Sequence, residues 1–600
     1  MTKRNRGRVH TVATSPVFGA ATGELTALGA PAVTRDLRSA LFLLAAGYLP
    51  GEKTVHEGRD ERVTRFHAMV REAAVTDPVW TAGLLGWLRG PGGLRLAPVE
   101  GAADFVAARR LAAALGAVRA DGSPVLAPVT APEASARRVI GSVLRRADEP
   151  AELIVYWLET YGRRLPVAVK RGIADVLPRL WTPYTVLKYD TEDAPFRFGD
   201  VVELVNPRYH RQAWDTGQAR LWEWLIARRH GRGMPPAGVA AMARRRESLL
   251  AEAVADPAVL ADTARLDAAG LTWQNVLSAA GQAGQPVDKA RLWEALVPVM
   301  PYGALLSNLR AMDETGMSDE VAARVAAKLA NPEAVAASGL FPFRFLSARR
   351  AAGLRWAWPL QQALTSSLAN VPRLPGKVLI LVDRSPSMWL QPFSEHSQMT
   401  WADAAALFGA ALALRSEQAV LAEFWGDSRQ VRFRPHADLL GLVDEFSPQS
   451  REPGVREGTD IPRALAKWLT PDVTQVVIIT DEQTRPGWLA SNMAGYGGGP
   501  PRRIDEMVSA DVPVFLWNFG GYTAGAMASG GTNRHTFGGL TDASFKLIGM
   551  VGAGRDAPWP WEDTPAAPAG SRIPWQPATA PVPAGTVLGG AGPVAVPPRD

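Results

Sequence analysis

The sequence predicts two architectures in one chain: an all-α HEAT-like solenoid or ring, followed by an α/β doubly wound, Rossmann-like domain. Three observations predict this. From about residue 30 to 370, apolar residues recur at helical spacing between short Gly, Pro or charged connectors. Beyond LPGK (374–377), short β-rich apolar runs alternate with helical stretches, the signature of a parallel sheet covered on both faces. A chain of 600 residues also exceeds what one hydrophobic core organises.

Taken in order, residues 1–25 read as a basic arm and 26–372 as the helical segment. Within ALLSNLRAM, Leu305, Leu309 and Met312 line one helix face. In ARLWEWLIARRH, Leu221, Trp224 and Leu225 do the same, and Arg228 and Arg229 follow toward the C-terminal end, where cations suit the helix dipole. Helix pairs chained without one dominant core fit a solenoid, and at roughly 40 to 47 residues per HEAT-type unit the segment holds about seven or eight hairpins. An irregular helical bundle is the alternative. Residues 373–555 form the α/β domain, with strands at VLILV, AVLAEFW, VTQVVIIT and VPVFLWNF and helices at WADAAALFGAALALR, DIPRALAKWL and PRRIDEMVSA. The Pro, Ala and Gly-rich residues 556–600 read as a disordered tail.

Composition narrows the function. The chain has no cysteine, which excludes disulfides, thiolate metal sites and a cysteine nucleophile. No apolar run is long enough to span a membrane and the N-terminus lacks a secretory pattern, so a cytoplasmic, membrane-free protein is expected. The net charge of +6 is unevenly distributed: residues 1–376 carry 47 Lys and Arg against 36 Asp and Glu, while the rest is slightly acidic. A polyanion such as RNA would therefore bind the helical segment. Surplus solvated arginines are the structural explanation of the same excess.

One stretch carries specific chemistry. In LILVDRSPSMW (379–389) a strand runs into Asp383, Ser385 and Ser387. Ligands of doubly wound sheets bind beyond the carboxyl ends of the strands, where EGTDIPRAL adds Thr459 and VVIITDEQT adds Asp481. Two carboxylates and three hydroxyls are hard oxygen ligands suited to Mg2+, and so few carboxylates leave residual positive charge for an acidic group from a partner. Helix capping by a Ser-rich turn is the structural alternative. No Walker-type loop, HExxH or GxSxG pattern occurs, and no evident base accompanies Ser385, so no catalytic residue is assigned and the protein is expected not to be an enzyme. His396 reads as a solvent-facing loop residue.

This constellation resembles the metal-ion-dependent adhesion site (MIDAS) of von Willebrand factor type A domains. With LWEALVPVMPYGALLSNLRAM (292–312), VKRGIADVL (169–177), YTVLKY (184–189), DVVELVNP (200–207) and LFPFRFLSARRAAGL (340–354), the chain resembles the Ro autoantigen family, whose helical part is the TROVE module. The resemblance implies a HEAT-like ring closed by the type A domain. It also implies binding of misfolded non-coding RNA ends in the ring, Y RNA on its outer surface, work with an exoribonuclease in bacteria, and a monomer. Lys170, Arg171 and Lys188 match basic positions of the family's RNA-contacting region. Arg137, Arg138, Arg208 and Arg211 are added from clustering alone. After YTVLKY the chain departs from the family with DTEDAPFRFGD, where Asp190, Glu192 and Asp193 are expected to repel phosphate and weaken Y-like RNA binding, and Phe198 or Gly199 stands where a histidine would be. A protein-interaction adaptor acting through the metal site without RNA is the competing function.

Overall fold

The computed structural model describes residues 19–25, 31–45, 59–191, 194, 196–207, 216–283, 287–390, 392–393, 399–434, 437–446, 458–481, 504–519, 533–538 and a few single positions between 527 and 562. The described residues divide into two compact units, one within 67–325, the other within 19–66 and 326–562. The change from helix to strand falls between Asn370 and Leu374. The helices from residue 326 onward nevertheless pack with the sheet: Arg350 donates to Asp403 at 2.7 Å, and the Phe343 ring stacks on Phe393 and Phe408.

The unit spanning 67–325 is helical. Its helices include α1 (Pro78–Arg89), α2 (Leu96–Leu115), α3 (Ala136–Val143), α4 (Glu149–Tyr161), α5 (Val167–Leu180), α6 (Pro183–Tyr189), α7 (Phe198–Val205) and α8 (Thr216–Arg229). Local chemistry sets their ends. Asp77 caps α1 ahead of Pro78, and Thr182 and Thr185 form a capping box on α6. Packing sets their faces. On α5, Val169, Ile173, Val176, Leu177 and Leu180 are buried at helical spacing, and α3 buries Val139, Ile140 and Val143. These two helices meet at Gly172, where a Cβ would come within 2.6 Å of the Arg137 carbonyl oxygen and 2.7 Å of Ile140 Cβ. Each aliphatic side chain so buried contributes about 1.5–3 kcal/mol.

The other unit holds the sheets. A two-stranded antiparallel hairpin, β1 (Gly19–Leu25) and β2 (Pro31–Arg35), occupies part of the stretch that the sequence assigns to the basic arm and the start of the helices. Its Gly, Ala and Thr composition lacks the bulky alternation that announces a strand. The main sheet comprises β3 (Leu374–Asp383), β4 (Ser416–Phe424), β5 (Ser428–Gln430), β6 (Gln475–Thr480), β7 (Val514–Asn518) and β8 (Arg534–Gly538), ordered β5-β4-β3-β6-β7-β8. All neighbours are parallel except the β4–β5 edge pair. Both faces are covered, which is why the central strands read as continuous apolar runs. Leu379 and Leu381 belong to a core with Val476, Ile478, Ile461 and Leu465. On the opposite face, α9 (Trp401–Arg415) approaches so closely that a Cβ on Gly409 would lie 2.6 Å from Val382 Cγ2.

The four strands expected from the sequence are present, whereas β5 and β8 were not anticipated. Both are short and polar in composition, and β8 buries Arg534, whose guanidinium donates to the carbonyls of Val512 and Val508. At the start of the expected tail, Trp559 packs edge-on to Phe42 at 5.2 Å, and Trp561 lies at 6.2 Å from the same ring. Residues 563–600 lie outside the described residues.

Candidate functional site

The strand order reverses at β3. The chain leaves β3 for β4 on one side and later returns to β6 on the other, so the crevice between the carboxyl ends of β3 and β6 is a topological switch point. Val382 pairs with Ile479 in register, which sets Asp383 level with Thr480. Asp383 is fully buried there, and its Oδ2 accepts the Thr480 hydroxyl at 2.5 Å. Its Oδ1 accepts the Ser385 backbone N–H at 2.8 Å, and the Ser385 and Ser387 hydroxyls lie 3.2 Å apart. Asp481, one residue past β6, is also fully buried. Burial, reinforced by the charge of Asp481, pushes the Asp383 carboxyl up to about 7.

The neighbouring cation, Arg384, anchors the loop through several contacts. Arg384 donates to the Ala402 carbonyl at 2.7 Å, lies 4.3 Å from the Trp389 ring centre and reaches Glu423 at 4.0 Å. Its backbone N–H donates to Phe424 O at 2.9 Å. The loop is thereby fixed by its middle residue, with Asp383 and Ser385 buried on either side of it.

Thr459 reaches the same edge indirectly. The Asp460 N–H donates to Trp425 O at 2.9 Å, just beyond Phe424, the register partner of Asp383. Asp460 itself caps α10 (Ile461–Trp468) by accepting from the Arg463 N–H at 2.9 Å. Thr459 is half-buried, and the structure gives it no direct contact with Asp383. Thus Asp383, Ser385 and Ser387 are joined by hydrogen bonds, Asp481 by charge, and Thr459 by its backbone neighbour. Sequence reasoning missed Thr480, although it immediately precedes Asp481 at the end of the strand.

The donor set fits a hard divalent cation. Asp383 and Asp481 are buried carboxylates whose charges oppose each other, and the Ser385, Ser387 and Thr480 hydroxyls make the edge oxygen-rich. Among the described residues no group of three or more His, Asp or Glu could hold a metal, so binding here would depend on the hydroxyls. His396 lies outside the described residues.

The basic candidates divide. Arg137 and Arg138 on α3 and Lys170 and Arg171 on α5 flank the Gly172 crossing. Arg137 forms a bidentate pair with Asp175 at 2.5 and 2.6 Å, and Arg138 meets Glu133 at 3.1 Å. Among the described residues neither Lys170 nor Arg171 has an ion-pair partner; Arg171 is exposed and Lys170 half-buried. The Lys188 ammonium lies 4.9 Å from the Tyr189 ring centre and 5.8 Å from that of Tyr184. Arg208 and Arg211 lie outside the described residues.

Asp190 requires a correction. It is 3% exposed, accepts from Arg197 Nε at 3.0 Å and from the Phe198 N–H at 2.9 Å, and pairs with Arg228 Nη1. Its charge is neutralised inside the unit and is not presented to phosphate. Phe198 is likewise a core residue, stacked on Trp181 at 4.3 Å. Gly199 permits α7 to approach α8, since a Cβ there would fall 2.5 Å from Leu225 O. Glu192 and Asp193 lie outside the described residues.

A helical segment joined to a doubly wound α/β segment with an oxygen-lined switch point defines the class of protein. The comparisons make it specific. The TROVE domain family matches residues 266–362. The fold is similar to the crystal structure of the Ro (RSR) protein of Deinococcus radiodurans, with a TM-score of 0.58 and 16% identity over 87% of this chain and 100% of that chain. In fold, the chain is similar to that Ro protein. An aerotolerance-related membrane protein from Bacteroides fragilis NCTC 9343 also matches, at 16% identity, 30% of this chain, 98% of that chain and a TM-score of 0.19, too weak a likeness to argue from. No curated protein matches. Among the described residues no helix is long and apolar enough to cross a membrane.

Proposed function

We propose that this chain is an RNA-binding Ro-like protein, a non-enzymatic chaperone and quality-control scaffold for structured or misfolded non-coding RNA in the cytoplasm. The observation that carries this reading is the TROVE match at 266–362 within a chain of Ro fold. The basic excess of residues 1–376 supports it, because phosphate neutralisation supplies most sequence-independent affinity for nucleic acid. Among the described residues no carboxylate pairs with Arg171 or Lys170 on α5.

The sheet domain is read as a von Willebrand factor type A domain whose switch point is a metal-ion-dependent adhesion site. Asp383, Ser385, Ser387, Thr459 and Asp481 would hold Mg2+, directly or through water. The bound cation would supply a Lewis-acidic position for a carboxylate from a partner protein, such as an exoribonuclease. The competing adaptor reading drew on the acidic insertion, and it loses Asp190 as support because two arginines neutralise that residue.

The test is filter binding of a misfolded RNA with a protruding single-stranded end, beside a blunt duplex and a Y-like hairpin. Tighter, salt-sensitive retention of the protruding-end RNA is the expected result. Equal, weak retention of all three at moderate salt, together with a partner protein that EDTA releases, would transfer the function to the adaptor.

A further inference from the structure

Behind the α3–α5 crossing, Arg89, Arg145 and Arg179 gather about one buried carboxylate, Glu149. Glu149 is already satisfied. Its Oε1 pairs with Arg89, and its Oε2 accepts the backbone N–H groups of Arg145 at 2.6 Å and Arg146 at 2.9 Å. Three guanidinium groups against one carboxylate leave an excess of two positive charges at this place.

Arg179 has an evident structural task. It donates to the carbonyls of Leu144 at 2.6 Å and Gly141 at 3.2 Å, closing the C-terminal turn of α3. Arg145 has no such task. Its side chain is exposed, and among the described residues no oxygen accepts a hydrogen bond from its guanidinium. The group lies against the backbone of Gly90, where a Cβ would come within 2.9 Å of Nη2. Although the side chain is open to solvent on one side, desolvation by the protein packed against its other side, then the charge of Arg89, holds Arg145 below the ordinary arginine range. Burial, then Arg145, does the same to Arg179, so these cations sit close enough to repel.

A guanidinium seated on a backbone surface, with its fork unengaged and a second cation beside it, matches the bidentate geometry of a phosphodiester and would be relieved by one. Arg146 is held by Asp148 at 2.8 and 3.0 Å, and among the described residues Lys188 beyond it pairs with no carboxylate. Arg146 lies 5.4 Å and Lys188 4.9 Å from the same Tyr189 ring centre. We propose that Arg145, with Arg179 beside it, takes a backbone phosphate of single-stranded RNA. The inference rests on the RNA-binding reading and names a contact for it.

The experiment is fluorescence anisotropy with a labelled oligouridylate across a KCl series, using the full chain, Arg145→Gln, Arg145→Lys, and Arg310→Gln as a control that removes an exposed arginine paired with Glu314. Arg145→Gln is expected to raise Kd about tenfold and to flatten the salt slope by roughly 0.7, the share of one phosphate on a single strand. Arg145→Lys restores the slope and only part of the affinity, and Arg310→Gln stays within about twofold of the parent. Melting curves of the variants verify folding. An Arg145→Gln protein that binds like the parent with the same slope overturns the inference and leaves RNA binding intact. Equal weakening by Arg310→Gln also overturns it, since only net charge would then matter. A parent chain that fails to bind oligouridylate at low salt removes the RNA reading and this contact together.

Discussion

Asp190 and Asp383 are both buried aspartates, and their surroundings could hardly differ more. Asp190 is enclosed by Arg197, Arg228 and the Phe198 N–H, a shell that supplies its countercharge from within the fold. Asp383 faces a hydroxyl, a backbone N–H and the second buried carboxylate of Asp481, while Arg384 turns to Ala402 and Trp389. The first arrangement is complete without a ligand. The second sets two buried carboxylates together, so that ionisation of one opposes ionisation of the other. Burial alone therefore does not separate a neutralised carboxylate from an opposed one; the sign of the charge facing it does.

The largest effect expected from this contrast is on folding. Asp190→Ala leaves two guanidinium groups and the Phe198 N–H without their acceptor at the α6–α7 junction, and loss of one partner from a buried ion pair costs about 3–5 kcal/mol. Urea denaturation should show that loss. A drop below about 1 kcal/mol would mean that water replaces Asp190 and that the contrast with Asp383 is overstated.

Asp383→Asn should behave in the opposite way. Without metal, its removal of one negative charge beside Asp481 should leave the melting temperature unchanged or raised. Mg2+ at about a hundredfold above its Kd should stabilise the parent chain by roughly 2.7 kcal/mol and the variant not at all. Equal stabilisation of both proteins would remove Asp383 from the metal site. The two aspartates would then differ in environment but not in role.

The same contrast explains what could be read from the sequence. Asp383, Ser385 and Asp481 were legible because a continuous apolar strand ending in a carboxylate has few structural uses, and strand alternation fixes where its end lies. Asp190 was misread because its neutralising partners stand seven and 38 residues away, beyond any local pattern. Thr480 was passed over because a β-branched residue at a strand end looks like propensity alone. Arg145 was hidden for the opposite reason: its lack of a hydrogen-bonding carboxylate is a property of three helices at once, and one-dimensional clustering selected Arg137 and Arg138, which the fold pairs with Asp175 and Glu133. The helical spacing predicted buried faces well, but the Gly, Ala and Thr of β1 and β2 gave no signal to read.

A third buried carboxylate, Asp104, lies between these extremes and sharpens the comparison by the smallest effect. Its Oδ2 meets His67 Nδ1 at 2.6 Å, its Oδ1 accepts the Tyr156 hydroxyl at 3.0 Å and that of Tyr161, and Arg71 stands 3.6 Å away. Burial alone would depress the His67 imidazolium, but hydrogen bonds to Asp104 and Glu100 outweigh it and carry His67 up to about 9. Because the folded value exceeds the unfolded 6.5, the histidine's contribution is complete below pH 6.5 and is lost as pH rises through 9. Between pH 6.5 and 8 the loss should amount to about 1–2 kcal/mol, at 1.36 kcal/mol per unit. Urea midpoints measured over that range should fall in the parent chain and stay nearly flat in His67→Gln, which carries no titrating charge. A parent midpoint that does not fall would mean that Tyr156, Tyr161 and Arg71 satisfy Asp104 without help. Asp104 would then join Asp190 as a carboxylate closed by its own fold, and Asp383 would stand alone among the three in having its ionised form opposed by a second buried aspartate.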